Sequence, residues 1–520
     1  MSFSIRKFFP DSIQKWKNYT KITVPVILAT FFISINNFVD NFMVSQISGG
    51  VTAVGIANIW TGIIFSFIVA INMIGSVIFS QYWGKKDYLL ARQINNIRYI
   101  LCISTILIFA IFSWIIPENM LKVVQKQNNF TAQDAITFSE AKNYLFIISF
   151  SWILFAYILT ASGILREIGT MKISLFFTAL TLITNVTLNL VLIPYMGVSG
   201  SALATVISRL VTSILLYFYQ FFYKKEIRLE IFKIFNIKKK IWSQFFKRFF
   251  GMSLTIISSI IISTRAILWS QGMPSGSLGI SDEKNLHHYW GIGYLAIAGI
   301  TMTIANILFT TFASIQISVS IVVGQNLGQN KIEEAKKNAA MLKGFLLVVS
   351  VFISLLTLFA VLITTQTNLI TKGIEDQVAK GLETYFQKNN LPISQELVQK
   401  QQNLAVSFYL QQIFLVSIII ILINPIWVQI NASLSIIKSG GRSNFASSWD
   451  FFIAILQLSW QVIIVFVFLP LIQDTSLKLL LSTSLFYFSD IVKWVVFEFL
   501  YLKTKWAINL TTENSKEKLN

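Results

Sequence analysis

Long apolar runs separated by short polar stretches set the rhythm of this chain. Twelve such runs stand at about 22–45, 53–80, 99–116, 143–163, 173–194, 200–222, 249–271, 291–323, 344–366, 403–430, 445–470 and 479–502. As helices they are long enough to cross a hydrocarbon core of ~30 Å. Most lack the strict apolar–polar alternation of a barrel strand, and each far exceeds the ~10 residues such a strand needs. The pattern predicts an all-α membrane protein with twelve transmembrane helices.

Composition agrees with that reading. Apolar residues make up 54% of the 520 positions and charged residues 12%, against about 25% charged in a soluble domain. The net charge of +19 would suit nucleic acid, but no nucleic-acid motif accompanies it, and no such partner is expected. The charge follows the loops instead. Connection 84–98 carries Lys85, Lys86, Arg92 and Arg98 against Asp87, and connection 223–248 carries nine Lys and Arg against Glu226 and Glu230. The stretches 117–142 and 367–402 are balanced, with three and four residues of each sign. Basic and balanced loops alternate, which places the basic ones and both termini in the cytoplasm. The single cysteine, Cys102, excludes an intrachain disulfide and is expected to be a buried, inert thiol. The first apolar run is too long for a cleavable signal.

The chain also repeats itself. Ser76 to Gly84 corresponds to Ser320 to Gly328, and the match runs back to Gly55 and Gly299 and on to Ala91–Arg92 and Ala335–Lys336, all at one offset of 244 residues. A second block pairs Leu165, Arg166 and Gly169 with Ile437, Lys438 and Gly441. Six helices per copy give both copies one orientation, related by an axis along the membrane normal. The expected organisation is an N-terminal six-helix lobe (1–222), a basic cytoplasmic connector (223–248), a C-terminal six-helix lobe (249–502) and a cytoplasmic tail (503–520). The lobes are pseudo-symmetric and flank a central cavity, a plan suited to alternating access.

Several motifs now fall in order. The first helix carries Pro25 and then Asn36-Asn37-Phe38-Val39-Asp40. Gln81-x-x-Gly84 and Gln325-x-x-Gly328 follow the second and eighth helices. Leu165-Arg166-Glu167-Ile168-Gly169 follows the fourth. Asn185, Asn189 and Gly197 to Thr205 occupy the fifth and sixth, and Ile437 to Arg442 follows the tenth. Over nearly its whole length the chain resembles the MATE (multidrug and toxic compound extrusion) transporters. The resemblance implies two six-helix lobes, outward export of mostly cationic amphipathic compounds, coupling to a proton or sodium gradient, and no ATP hydrolysis. No G-x-x-x-x-G-K-[ST] loop is present. No cofactor or metal is expected, and a monomer in a bacterial plasma membrane is.

Asp40 stands out chemically, because a carboxylate inside an apolar helix must be protonated, paired or wet. Asn36, four residues earlier, shares its face. By resemblance, Asp40, Asn36, Asn185, Asn189 and Thr205 form the cation-coupling set, with bending at Pro25 accompanying it. Some family members have an aspartate where Asn189 stands, and some have an acid in helix seven that residues 249–264 lack. The first departure argues against a two-carboxylate cation site in this lobe, and the second favours protons over sodium. Pro425 is expected to break the tenth helix near mid-membrane. Trp60, Asn306 and Gln316 are cavity candidates by depth alone. Arg209 and Glu498 are expected near membrane surfaces, Arg265 to snorkel near the outer end, and Asp490 to pair with Lys493 three residues on. His287 and His288 are expected as solvated loop residues and make a poor metal site. A lipid-linked precursor flippase with the same two-lobe plan is the alternative. A membrane-embedded enzyme would need a clustered catalytic set that two histidines in one loop do not supply.

Overall fold

The computed structural model describes residues 8–44, 47, 50–124, 132–281, 285–367 and 370–512. Parts of the balanced stretches and the last eight residues of the tail lie outside them. In chain order the α-helices are α1 (Ile13–Val44), α2 (Gly50–Gly84), α3 (Tyr88–Ile115), α4 (Pro117–Val124), α5 (Ala132–Glu167), α6 (Met171–Met196), α7 (Val198–Tyr223), α8 (Lys239–Phe246) and α9 (Phe249–Gly272). They continue as α10 (Tyr294–Val319), α11 (Gln325–Gly328), α12 (Ile332–Gln366), α13 (Lys372–Lys388), α14 (Gln395–Ser439), α15 (Ser443–Ile463), α16 (Leu469–Leu471) and α17 (Lys478–Lys503). Among the described residues, twelve helical spans are long and apolar enough to cross a membrane, and they coincide with the twelve runs read from the sequence.

Local chemistry repeats along with the sequence. Lys86 and Asn330, 244 residues apart, both adopt left-handed backbone (φ 64° and 62°) in the turns after α2 and α11. Gly169 and Gly441 do the same (φ 91° and 102°) after α5 and α14. Each turn reverses the chain on the side carrying the basic loops. Asp87 caps α3 by accepting a bond from the Leu90 amide at 3.2 Å, and Ser394 caps α14 by accepting one from Leu397 at 3.3 Å. The repeat is inexact at one place: residues 320–324 form a π-turn, while their counterparts 76–80 are α-helical.

The two lobes have separate apolar cores, one from α2, α3, α5 and α7, the other from α10, α12, α14 and α17. The cores are not strictly divided by sequence. Trp16 and Tyr19, in the first turns of α1, pack edge-on against Phe345 of α12, so the start of the chain leans on the C-terminal lobe. Among the described residues, the hydrogen bonds between the lobes lie on the basic-loop side. They include Thr23 with Ser318 at 3.1 Å, Ser76 with Ser320 at 2.8 Å and the Gln81 amide donating to Ser439 O at 3.0 Å. On the other side Asn37 and Asn306 are exposed. The lobes are thus sealed at one end.

Several expectations need correcting. Arg98, counted with a loop, is inside α3 and 1% exposed, because it forms a two-pronged pair with Glu167 at 2.9 and 3.1 Å. Pro425 does not break its helix. α14 runs through it, and Asn424 beside it donates to Ser354 Oγ and Ser350 O of α12 at 3.0 and 3.3 Å, which holds the segment in place. Residues 504–512 of the tail lie against the protein: Trp506, Ile508, Leu510 and Thr511 are buried. They cross the basic-loop side from Gly440 of the C-terminal lobe to Gln81 of the other.

Candidate functional site

α1, α6 and α7 meet inside the N-terminal lobe, and their polar residues form one connected chain. The Asn36 amide donates to Asp40 Oδ2 at 3.2 Å, one helical turn away on the same face. The Asn189 amide of α6 is bonded at 2.5 Å to Asp40 Oδ1 and at 3.1 Å to Asn185 Oδ1. Asn185 in turn donates to Thr205 Oγ1 of α7 at 3.2 Å. Asn185 and Asn189 are fully buried. The five residues expected to act together are therefore contiguous. Asp40 makes no ion pair among the described residues. Two buried acceptors of the cluster, Asn36 Oδ1 and Asn189 Oδ1, have no hydrogen-bond partner. Pro25 lies within α1, which continues through it. Its ring removes one backbone N–H from the helix ladder, which makes this the point where α1 bends most easily.

The three cavity candidates do not come together. Trp60 donates to Met120 O at 3.0 Å, which ties α2 to α4. Asn306 is exposed on α10. Gln316 sits at the lobe boundary, donating to Ser320 Oγ at 3.3 Å and Ser439 Oγ at 3.4 Å.

Two residues that the sequence reading placed elsewhere or left unassigned line a cavity beside the Asp40 cluster. The cavity, about 60 Å³, is bounded by Phe32, Asn36, Phe155, Ser162, Arg166 and Arg209 among others. Arg209 is not at a membrane surface. It lies eleven residues into α7, about 16 Å along it at 1.5 Å per residue. It donates to Ser151 Oγ at 2.8 Å and stacks its guanidinium over Phe155 at 4.7 Å. The signal was present in the sequence as a lone arginine in an apolar run.

The C-terminal lobe holds its own polar network. Lys493 pairs with Asp450 at 2.8 Å rather than with Asp490. Asp490 accepts from Gln457 at 2.7 Å and Trp427 at 2.8 Å. Arg265 turns inward to Gln457 Oε1 at 3.1 Å and stacks on Phe486 at 5.1 Å, so it does not snorkel. Glu498 pairs with the buried Lys343 at 2.5 Å. Lys438, the repeat counterpart of Arg166, is also buried. Cys102 is buried. His287 is buried too, against expectation, whereas His288 is exposed as expected and bonds Gly276 O at 2.9 Å. Among the described residues no group of three or more His, Cys, Asp or Glu is placed to hold a metal.

Two internally related six-helix lobes, sealed at one end and holding an acid–amide cluster within a span, define a two-lobe membrane transporter fold. The sequence model of the MatE family matches residues 25–191 and 278–367, and the chain belongs to that family. The MATE transporter VcmN of Vibrio cholerae, solved as a mutant, superposes with a TM-score of 0.70 at 12% identity, covering 95% of this chain and 98% of that one. A MOP superfamily transporter from Pyrococcus furiosus, described as having a binding pocket of reverse polarity, superposes with a TM-score of 0.68 at 14% identity, covering 97% and 100%. The probable multidrug resistance protein YoeA of Bacillus subtilis (strain 168) is 22% identical over 334 residues, or 62% of this chain. That match spans 66% of the relative's own length.

Proposed function

We propose that the protein is a cation-gradient-coupled antiporter that exports amphipathic organic compounds, mostly cations, by alternating access, with the proton as the coupling ion and sodium as the alternative. It works as a monomer surrounded by lipid in a bacterial plasma membrane, both termini in the cytoplasm. The organic cation occupies the cleft between the lobes. The observation that carries this reading is the Asp40 carboxylate within an apolar span, held by two neutral amides and, among the described residues, in no ion pair. A charge so placed is costly in lipid, and binding a proton or small cation removes the cost. The two unpartnered amide oxygens beside it supply further ligands for such an ion. One charge moved through the full membrane potential yields ~2.3 kcal/mol per 100 mV. A transporter can use that to reset the cleft.

The experiment is transport of a fluorescent organic cation into or out of proteoliposomes under an imposed proton gradient, with and without sodium, in wild type and Asp40→Asn. Gradient-dependent transport lost in the variant supports the proposal. Transport indifferent to the substitution moves coupling elsewhere. A second reading, a lipid-linked precursor flippase, is favoured by one observation, the two arginines in the N-terminal lobe cavity. Absence of any gradient-driven cation transport would make it the better account.

A further inference from the structure

We propose that the cavity inside the N-terminal lobe is a binding site for an anionic group (carboxylate, sulfonate or phosphate) carried on an apolar body, with Arg166 and Arg209 as its charge partners. This goes beyond the export of cations through the cleft and requires neither transport nor titration of Asp40.

The case rests on unpartnered donors aimed into one space. Arg166 is 9% exposed, lines the cavity, and makes no side-chain hydrogen bond or ion pair among the described residues; its Nε is buried without a partner. Its neighbour Glu167 acts on it through charge but makes no hydrogen bond to it, both carboxylate oxygens being bonded by Arg98 at 2.9 and 3.1 Å. Ser162, one turn before Arg166 and 3% exposed, lines the same cavity, and its hydroxyl also lacks a partner. Buried donors are normally satisfied, and a buried guanidinium without an acceptor is among the costliest exceptions. A ligand oxygen is the acceptor this geometry lacks.

Charge and size narrow the ligand. The charged residues lining the cavity are the two arginines. Asp40, on the neighbouring face, is close enough to act on Arg209 but spends its oxygens on Asn36 and Asn189. An organic cation entering here would meet like charge. Guanidinium groups match the planar acceptors of carboxylate, sulfonate and phosphate. About 60 Å³ admits a headgroup, well below the ~300 Å³ of a drug-sized pocket. Phe32 and Phe155 at its walls suit the start of an apolar body.

Arg166 also stands in the last turn of α5, where a cation complements the helix dipole. A purely structural role of that kind would move stability and leave ligand binding alone, so binding is the discriminating readout. The full-length protein in phosphatidylcholine nanodiscs is titrated by calorimetry with 2-naphthalenesulfonate and with a naphthyl-trimethylammonium salt of equal ring size. We expect the sulfonate to bind, Arg166→Gln and Arg209→Gln each to weaken it about tenfold or more, as loss of a charge-assisted bond implies, and Arg166→Lys to recover part of the loss. Should Arg166→Gln not fold, Arg209→Gln carries the comparison. Unchanged sulfonate affinity in the folded glutamine variants, or equally tight and competing binding of the cation, overturns the proposal. Repeating the titration with phosphatidylglycerol in the discs separates two supporting outcomes: competition assigns the site to a lipid headgroup, and its absence to a soluble anion. Because binding is read at equilibrium without a gradient, its failure is separate from failure of the antiport reading.

Discussion

The hydroxyls of Ser76 and Ser320 meet at 2.8 Å, and the two residues are the same position of the two halves, 244 residues apart. A position can touch its own counterpart only where the pseudo-two-fold axis passes. The neighbours obey the same symmetry. A Cβ on Gly84 would strike the backbone of Gln325, and one on Gly328 would strike the backbone of Gln81. Gly324 likewise stands against Ser80, its counterpart. Small residues let the helices cross this closely, which is the physical reason for the shared motif. The crossing should therefore be a place where the lobes can be locked. In a Cys102→Ser background, Ser76→Cys with Ser320→Cys should form an oxidative cross-link that stops transport and is reversed by reductant. Gel mobility and transport before and after reduction check this. Gly84→Val and Gly328→Val should each destabilise by the ~1–3 kcal/mol typical of overpacking, by similar amounts.

The Arg98–Glu167 pair, 1% and 3% exposed, predicts an asymmetry in stability. Removing one partner strands a buried charge and should cost ~3–5 kcal/mol, whereas removing both with apolar or neutral isosteres should cost much less. Glu167→Gln or Arg98→Met alone should thus lower the unfolding midpoint more than the two together. Unfolding of the purified variants in detergent measures it, and a double variant as poor as the sum of the singles would sink the idea.

What the sequence made legible follows from what writes itself periodically. Twelve spans are visible because lipid demands unbroken apolar length, and the repeat because the crossing demands small residues at Ser76, Gly84, Ser320 and Gly328. The cluster around Asp40 was legible through the i, i+4 spacing of Asn36 with Asp40 and of Asn185 with Asn189. Partners across helices carry no such signature. Lys493 has Asp490 three residues away yet pairs with Asp450, 43 residues back, and nothing local distinguishes the two acids. Arg166 and Arg209 come from different helices and come to line one cavity only through packing. The tail escaped because its binding is largely main-chain: Leu510 N donates to Gln81 Oε1 at 2.6 Å and Ile508 N to Gly440 O at 3.0 Å.

The connector carries a pH prediction. The hydrogen bond from Arg228, with the nearby charges of Arg92 and Lys233, holds the Glu230 carboxyl below its usual value, and Arg92 reaches it from α3 at 2.7 Å. A depressed carboxyl stabilises the docked form at pH above its unfolded value of 4.5, and that contribution is lost as pH falls through the lower folded value. Docking of the connector should therefore be flat from pH 7 to about 5 and weaken only in stronger acid. Glu230→Gln should loosen it from pH 7 to about 5 and differ little from wild type in stronger acid, where the carboxyl is already neutral. Limited proteolysis within residues 223–238 across pH reports both, and a midpoint near neutrality would contradict the assignment.

The tail crossing should act as a latch on the basic-loop side. Residues 505–511 bond to both lobes at once. Arg442 donates to Lys505 O at 3.1 Å, Ile508 O accepts from Gln81 at 3.2 Å, and Gln244 of α8 donates to Leu510 O at 3.0 Å. The lobes cannot part at this end without breaking one set. Gly440 is the weak point, since a Cβ there would strike the carbonyl oxygen of Trp506. Gly440→Val should push the segment off without touching the tail itself. With Leu510→Cys as reporter in a Cys102→Ser background, the thiol should resist maleimide in the otherwise native chain, as the 2% exposure of Leu510 implies. It should label readily once Gly440→Val is added. Equal labelling in both would mean that the segment is not held there in the membrane. Deleting residues 504–520 should then, like Gly440→Val, speed opening on the basic-loop side, read as faster labelling of a cysteine placed at Ser80, which is fully buried in the sealed form.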